Sequence, residues 1–230
     1  MMQQSKKVRY IIVLFLLGVS VVALVGWNIC VGTVRIPLTD IFASIRGEKI
    51  ENSRILWDIR MPRTLAAMIL GGALALAGYL LQTFFHNPIA GPFVLGISSG
   101  AKMVVALVMV FLMGQAVKIT SWALIAAAFV GAMISMGFVL LMSRRVHNMS
   151  MLVVSGVMIG YICSAITELV VTFASDAEIV NLHNWSRGSF SGMTWENVAV
   201  MTGVVAVTFF LVFLMAKPLL SLIHISEPTR

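Results

Sequence analysis

Charged side chains are scarce in this sequence. Only 11% of its 230 residues are Asp, Glu, Lys or Arg, whereas 60% are hydrophobic and the mean hydropathy is +0.99. A typical soluble domain has about 25% charged and about 45–50% apolar residues. The deficit excludes an ordinary soluble domain and indicates a membrane protein. Because the basic residues fall between apolar runs, the net charge of +7 indicates contact with a lipid bilayer and not with nucleic acid.

Patterns for metal binding and catalysis are also missing. Two isolated cysteines, Cys30 and Cys163, form neither a disulfide framework nor a metal-ligand cluster. The four histidines lie on different segments, and no Gly-x-x-x-x-Gly-Lys-[Ser/Thr] phosphate loop occurs. We therefore expect no cofactor, no metal site and no enzymatic activity in this chain. Energy from ATP would have to come from a separate subunit.

Long apolar runs, by contrast, are plentiful. Crossing about 30 Å of hydrocarbon takes roughly 20 predominantly apolar residues in a helix. The runs that qualify as spans are residues 10–31, 64–85, 103–117 extended back to Ser98, 120–143, 148–167 and 197–216. The sequence therefore predicts an all-α fold, a polytopic transmembrane helix bundle with about six spans.

Basic residues orient these spans. Lys6, Lys7 and Arg9 precede the first span, which places the N-terminus in the cytoplasm, and the arginines at 144–145 then fall inside as well. Residues 32–63 disagree, because this predicted outer segment carries more basic than acidic residues. We keep the orientation and interpret the excess of outer arginine as a functional feature.

Small residues recur every four positions in two of the predicted spans. The second span contains Gly71 and Ala75 with Gly78 close by, and the fifth contains Gly156 and Gly160. Small residues at this spacing let helix backbones approach closely in lipid, where no hydrophobic force drives helices together. We therefore predict that these positions pack against other helices.

A turn-forming segment separates the second and third spans. Asn87-Pro88 ends the second span, because the residue before proline is pushed out of helical geometry. Pro92 prevents an early return to helix, and Ser98 is the predicted N-cap of the third span. Either this segment is a tight turn and nothing more, or it lines a path through the membrane, with the amide of Gln82 as a candidate lining group.

Two blocks of the sequence match the pattern of a known family. Residues 60–101 read RMPRTLAAMILGGALALAGYLLQTFFHNPIAGPFVLGISSGA, and residues 152–167 read LVVSGVMIGYICSAIT. Both resemble the signature regions of FecCD-type permeases, the iron-chelate and cobalamin permeases of ABC importers. The following NWSRGSFSGMTW (184–195) is similar to the Trp-x-x-Gly-Ser stretch of siderophore and haem permeases. The resemblance covers about residues 5–218.

The resemblance implies a function and a set of partners. It implies the permease subunit of an ABC importer that moves an iron-siderophore, haem or related metal chelate into the cytoplasm across a bacterial cell membrane. Two permease copies, identical or paralogous, would work with two cytoplasmic ATPase subunits and an external substrate-binding protein. An ion-coupled secondary transporter is the alternative. That class usually carries intramembrane charges in both halves, and only Glu168 suggests it here.

The resemblance also implies roles for two arginines. Arg60 and Arg63 match the external arginines that dock acidic residues of the substrate-binding protein. Arginine suits this role because its planar guanidinium stays charged and binds a carboxylate through two hydrogen bonds. Two solvated or headgroup-bound arginines at a helix entry are the alternative.

A third implied site is the translocation path. Gln82, Asn87 and Pro88 would lie at the cytoplasmic base of this path, between two permease copies. Glu168 lies near the outer end of the fifth span, and an ionisable group within a span is a functional candidate by default. It is either a path-lining carboxylate or an interfacial one.

A short external helix is predicted between the fifth and sixth spans. Ser175 and Glu178 have the spacing of a capping box, so a helix begins after Ser175 and ends near Trp185. By resemblance this element is the external gate, formed by Trp185, Gly188 and Ser189. A simple interfacial helix is the alternative.

The end of the chain departs from the family pattern. Residues 221–230 read SLIHISEPTR, which lacks the cytoplasmic glycine motif of family members and resembles translated adapter sequence. We therefore expect residues 1–220 to be the N-terminal part of the transmembrane permease domain, with six of ten spans. Residues 221–230 would then be a non-native tail.

Overall fold

The secondary structure is helical wherever the chain is described. The computed structural model describes residues 2–48, 52–85, 87–113, 120–146 and 148–215, and none of them lies in a strand. Two π-helical segments interrupt the α-helices. In chain order the elements are α1 (Met2–Cys30), α2 (Leu38–Ile45), π1 (Ile55–Arg60), α3 (Met61–Phe85), α4 (Ile97–Val108), π2 (Met109–Met113), α5 (Ser121–Ser143), α6 (Met149–Val171), α7 (Asp176–Arg187) and α8 (Trp195–Leu214). The all-α prediction is confirmed.

Five of the described helical segments are long and apolar enough to cross a membrane. They are Lys7–Cys30, Ile55–Phe85, Ser121–Ser143, Ser150–Val171 and Trp195–Leu214. The predicted third span corresponds to a shorter apolar helix, Ile97–Phe111. Residues 114–119, which we expect to face the outside between the third and fourth predicted spans, and the predicted tail at 221–230 lie outside the described residues. A polytopic helix bundle is therefore the architecture, with five full-length candidate spans and one shorter apolar helix.

The second span begins earlier than predicted. The sequence placed its start at residue 64, whereas the helix runs continuously from Ile55 through π1 into α3. The prediction counted charge-free runs, and Arg60 and Arg63 ended that run. A helix can contain charged residues when their side chains find hydrogen-bond partners. Both arginines donate to backbone carbonyls here.

The start of α4 also differs from the prediction. Ser98 was the predicted N-cap, but the helix begins at Ile97 and its N-cap is Gly96, with φ +71° and ψ +6°. Glycine adopts this left-handed conformation without the steric cost that a side chain brings. The conformation, and not a capping hydroxyl, sets the start of α4.

The chain forms two compact units. Among the described residues, the first contains those up to Gly71 together with residues 190–215, and the second contains Gly72–Ser189. The core of the first unit joins the end of α1 to π1 through the buried side chains of Ile29, Ile36, Ile41 and Leu56.

In the second unit, α4 is the central helix and packs against both α5 and α6. One apolar cluster gathers Leu95, Val139 and Leu152 with other buried residues of α3, α5 and α6. A second cluster gathers Val105, Met109 and residues of α5, α6 and α7. These two clusters hold the turn before α4 and the helix α7 in place, which are the elements that carry two of the predicted sites.

Candidate functional site

The Arg-Met-Pro-Arg segment lies where π1 passes into α3. The Met61 N–H donates to the Leu56 carbonyl, five residues back, as in a π-helix. The next bond of this series would run from residue 62 to the Trp57 carbonyl, but Pro62 has no N–H. The Trp195 indole Nε1 donates to this Trp57 carbonyl at 2.9 Å. An aromatic side chain at the start of α8 thus satisfies an acceptor that proline leaves without a helical partner.

Arg60 is buried in the first unit. Its side chain is 9% exposed, and its two Nη atoms donate to the backbone carbonyls of Ile29 and Val34. The Ile29 carbonyl belongs to the last turn of α1, whose carbonyls lack helical donors and attract cations. A Cβ at Gly32 would come within 2.6 Å of Arg60 Nη2, so glycine leaves room for the guanidinium. Arg60 therefore ties the end of α1 to the loop that follows.

Arg63 is only partly buried, and its guanidinium is incompletely bonded. Its Nη2 donates to the Ser191 carbonyl at 2.6 Å. Its Nε is buried and has no hydrogen-bond partner among the described residues. The side chain lines a cavity of about 560 Å³ with Asn28, Thr33 and Phe190. No acidic side chain of the described residues lines this cavity, which therefore suits a negatively charged group.

The turn before α4 is built by its own backbone and by α6. The Asn87 side chain accepts a hydrogen bond from the Ile89 N–H at 3.0 Å, and the Asn87 carbonyl accepts one from Ala90 at 3.1 Å. A Cβ at Gly96 would lie 2.8 Å from both the Gly156 carbonyl oxygen and the Gly160 nitrogen. The turn thus reaches the backbone of α6, with no room for a side chain between them.

A groove of about 250 Å³ lies beside this contact. Its polar lining comes from Ser99, Tyr161 and Ser164, and its apolar lining includes Phe93 and Gly160. None of the four predicted path residues lines this groove. The sequence reasoning did not select its hydroxyl groups, since single serines and tyrosines in apolar helices give no specific pattern.

Three of the four predicted path residues lie together, because the Asn87 N–H donates to the Gln82 carbonyl at 3.1 Å and Pro88 follows Asn87, whereas Glu168 lies apart. Gln82 and Pro88 are exposed, Asn87 is half-buried in the turn, and Glu168 is exposed in the last turn of α6. Glu168 lies about 12 Å along the helix from Gly160, at 1.5 Å per residue. The carboxylate and the turn therefore lie at separate places in the second unit.

The short helix predicted between the fifth and sixth spans is present as α7. Ser175 and Glu178 form the capping box, and the Ser175 N–H donates to a Glu178 carboxylate oxygen at 2.8 Å. Trp185 packs, partly buried, against the apolar cluster of α4 and α5. Gly188, with φ +70°, ends the helix, and Ser189 follows it on the surface. The three predicted gate residues therefore lie within one short stretch at the end of α7.

Of the two predicted packing faces, the one on α6 contacts a neighbouring segment, and the one on α3 meets none among the described residues. Gly156 and Gly160 contact the turn at Leu95 and Gly96. A Cβ at Gly71 or Gly78 would meet no heavy atom within 4 Å among the described residues, and Ala75 is exposed. Packing at Gly71, Ala75 and Gly78 therefore stays a prediction that requires helices other than those described.

A close contact between α4 and α5 was not predicted. A Cβ at Gly100 of α4 would lie 2.5 Å from the Gly131 carbonyl oxygen of α5, and a Cβ at Gly131 would lie 2.7 Å from the Gly100 carbonyl carbon. The buried Ser135 lies in the same contact. Gly131 and Ser135 have the four-residue spacing of small residues that the sequence offered as a signal. The spacing was present, but it does not say which of several small-residue faces find partners.

Metal-binding clusters are not found in the described part of the chain. No group of three or more His, Cys, Asp or Glu side chains there could hold a metal ion. The site features therefore consist of arginines, backbone carbonyls, hydroxyl groups and close glycine contacts.

Comparison with known proteins gives the chain its family. A model of the FecCD transport family matches residues 12–228, which includes most of the predicted tail. The vitamin B12 import system permease protein BtuC of Citrobacter koseri is 36% identical over 209 residues, which cover 91% of this chain and 60% of that protein. BtuC of Shigella boydii serotype 18 is 34% identical over the same shares.

A solved structure has the same fold. It is described as a metal-chelate type ABC transporter in an inward-facing conformation, and it aligns with a TM-score of 0.72 at 21% identity. The alignment covers 90% of this chain and 63% of that chain. This chain also spans only 60% of the length of the BtuC relatives named above. The family match nevertheless extends over nearly the whole chain, and this chain belongs to the FecCD transport family.

Proposed function

We propose that the protein containing this chain is the membrane-spanning permease of an ABC importer for a metal chelate. The observation that carries this proposal is the FecCD match over residues 12–228, together with five helices of membrane-spanning length and composition. A separate ATPase would supply the energy. Two permease copies would expose the path alternately to either side of the bacterial cell membrane.

Two lines of evidence bear on the substrate. The BtuC relatives are named for vitamin B12 import, and vitamin B12 is a cobalt chelate. The Trp185, Gly188 and Ser189 pattern is similar to that of siderophore and haem permeases. Both lines agree on a bulky organic metal chelate, which is the substrate class that we propose.

Uptake by a deletion strain tests this function. We expect loss of the gene to abolish uptake of one labelled chelate among cobalamin, a ferric siderophore and haem, and re-expression of the gene to restore it. Uptake of a free amino acid serves as the matched control and is expected to stay unchanged. Normal uptake of all three chelates in the deletion strain, when no paralogous permease is present, would contradict the proposal.

Docking of the external substrate-binding protein is proposed for Arg63. Three observations support it: the guanidinium is partly buried, its Nε has no partner in the described structure, and no described acidic side chain lines the adjoining cavity. We propose a different role for Arg60, because both of its Nη atoms already donate to backbone carbonyls. We propose that Arg60 holds the loop beside Arg63 and does not itself contact the partner.

We also propose roles for the remaining site residues. Gln82, Asn87 and Pro88 would lie beside the translocation path at the cytoplasmic side, which the exposure of Gln82 and Pro88 supports. The end of α7, with Trp185, Gly188 and Ser189, would form the external gate. Glu168 is proposed as an outer carboxylate, which its exposure in the last turn of α6 supports.

A further inference from the structure

The short helix α2 carries exposed apolar side chains. Leu38 and Phe42 are four residues apart, so they lie on the same side of this eight-residue helix. Their side chains are 57% and 61% exposed, whereas Ile41 is buried in the core of the first unit. Apolar side chains therefore lie on two adjoining sides of α2, and the described residues cover only the side of Ile41.

Two contacts fix the rotation of α2 about its own axis. Ile41 belongs to the apolar cluster that joins the end of α1 to π1. The Ser44 hydroxyl accepts a hydrogen bond from the Trp57 indole at 2.8 Å. Ser44 follows Ile41 by three residues, so both contacts lie on the same side of the helix. A rotation that buried Leu38 and Phe42 would break both contacts, and these two side chains therefore stay outward.

The neighbours of α2 place it at a membrane surface. The core around Ile41 contains Ile29 from the last turn of α1 and Leu56 from the first turn of the next candidate span. The Ile36 N–H donates to the carbonyl of Cys30, the last residue of α1, at 3.2 Å. A chain that leaves the bilayer at the end of one span enters the next span from the same side. The two helix ends therefore mark one face of the bilayer, and α2 lies at the level of that face.

We propose that α2 is an interfacial anchor, with Leu38 and Phe42 inserted at the boundary between phospholipid headgroups and acyl chains and with Arg46 beside the lipid phosphates. The occupant of the outer face of α2 is thus the bilayer itself. The side chains of α1 are exposed over nearly its whole length, as those of a span in contact with lipid are. Trp27 and Val31 continue this exposed apolar surface to the end of α1, where α2 begins one short loop later.

The charged residues around α2 suit lipid headgroups. Arg46 follows Phe42 by four residues, so it lies at the edge of the outer apolar face. Arg35, just before the helix, is exposed as well, and neither guanidinium has a partner among the described residues. Asp40 is half-buried and accepts a hydrogen bond from the Thr39 hydroxyl at 3.3 Å. Basic residues beside an exposed apolar face are typical of helices that lie in the membrane interface.

An anchored α2 would set the depth of the segment that carries Arg60 and Arg63. The Trp57 indole bond to Ser44 attaches α2 to π1. Arg60 also donates to the Val34 carbonyl, in the loop between α1 and α2. Insertion of α2 into the interface therefore holds this loop and the start of the second span at the membrane surface.

Spin labels on the full chain in lipid nanodiscs measure the depth of α2. In a background with Cys30→Ser and Cys163→Ala, the labelled variants are Leu38→Cys, Phe42→Cys and, as the matched control on the same helix, Thr39→Cys. Electron paramagnetic resonance compares the collisions of each label with oxygen, which concentrates in lipid, and with a nickel chelate that stays in water. We expect the labels at residues 38 and 42 to lie about 5–10 Å inside the headgroup boundary and the label at residue 39 to lie on its aqueous side.

Two results would overturn the anchor. Equal access of the nickel chelate to residues 38, 42 and 39 would place the outer face of α2 in water. Low access of both reagents to residues 38 and 42 would mean that protein covers this face, from a partner or from a second copy. The two labels report on the same face, so if Phe42→Cys does not fold, as judged by size-exclusion chromatography, Leu38→Cys carries the test.

Charge reversal tests the contact of Arg46 with lipid phosphates. Arg46→Glu is combined with the Phe42→Cys label in phosphatidylglycerol and in phosphatidylcholine nanodiscs. Because a glutamate is repelled by an anionic surface, we expect the label to move towards water, and to move farther in phosphatidylglycerol. Glu48→Gln, at an exposed position past the helix, is the control and is expected to leave the label at its depth. An unchanged depth of the Arg46→Glu variant in both lipids would overturn the role of Arg46.

Discussion

The Trp195 indole donates a hydrogen bond to the backbone carbonyl of Trp57, 138 residues earlier in the chain. That carbonyl is available because Pro62 cannot donate to it within the π-helical turn. The two residues thus connect the start of α8 to π1, at the segment that carries Arg60 and Arg63. The bond shows how a proline inside a helix is tolerated when a distant side chain replaces the missing donor.

Replacement of Trp195 by phenylalanine is expected to destabilise the first unit. Phenylalanine keeps the aromatic surface but removes the N–H, so the Trp57 carbonyl loses its donor. We expect a loss of about 0.5–1.5 kcal/mol in the free energy of unfolding, measured by SDS titration in mixed micelles. Trp27→Phe is the control, because Trp27 is 70% exposed. Equal stability of the two variants would contradict the role of this bond.

Gly131→Ala is expected to separate α4 from α5. A methyl group at residue 131 would lie 2.7 Å from the Gly100 carbonyl carbon, and neither backbone can yield locally. Overpacking of this kind costs about 1–3 kcal/mol or more. Gly137→Ala on the same helix is the control, since a Cβ there meets no atom within 4 Å. Unfolding of the purified variants would show the difference, and a Gly131→Ala variant as stable as the control would refute the contact.

Gly96→Ala is expected to destabilise the second unit. Gly96 has φ +71° and ψ +6°, and a side chain in this left-handed conformation costs about 1–2 kcal/mol. A Cβ there would also lie 2.8 Å from the Gly156 carbonyl oxygen, so the loss in the free energy of unfolding should exceed the conformational cost. Gly137→Ala is again the control, since a Cβ there meets no atom within 4 Å. A loss no larger than about 2 kcal/mol would contradict the close approach of Gly96 to α6.

Arg60 and Arg63 are expected to respond differently to substitution. Arg60→Gln removes donors from two backbone carbonyls and should lower the free energy of unfolding by about 1–3 kcal/mol for each acceptor left unpaired and buried. Arg63→Gln should change stability little and should abolish binding of an acidic probe. Unfolding and probe binding, measured on both variants, check this division of roles. A stable Arg60→Gln variant with lost binding would reverse it.

The orientation of the spans can be tested by labelling of single cysteines. In a background with Cys30→Ser and Cys163→Ala, a cysteine at Phe93 should react with an impermeant maleimide only from the cytoplasmic side. A cysteine at Asn184 should react only from outside, as should one at Glu51. The rule that places basic residues inside predicts this arrangement from the N-terminal lysines and arginine. Cytoplasmic labelling at Glu51 would invert the topology.

Much of the fold could be predicted from local sequence, because its determinants lie within single helices. Apolar runs of sufficient length predicted the spans, and Asn87-Pro88 correctly predicted the end of α3 at Phe85. The Ser175 and Glu178 spacing predicted α7 with its capping box. Each of these signals acts over a few residues, since chain geometry, solvation by lipid and capping need no knowledge of distant segments.

The tertiary structure decided which groups meet. Sequence spacing offered several small-residue faces, but only the folded chain shows that Gly131 meets Gly100 while Gly71 meets no neighbour among the described residues. Arg60 and Arg63 are equivalent in the motif. Arg60 is nevertheless buried and donates to two backbone carbonyls, whereas the Arg63 Nε has no partner among the described residues.

The physical reason is that close backbone approach and hydrogen-bond partnership depend on distances between segments far apart in the chain. No sequence pattern predicts that Trp195 and Trp57 meet. Their hydrogen bond forms because π1 and α8 lie side by side. The sequence by itself determined the helices, their apolar character and the family. The approach of the helices decided that Arg60 donates to two backbone carbonyls, while the Arg63 Nε finds no acceptor in the part of the chain that is described.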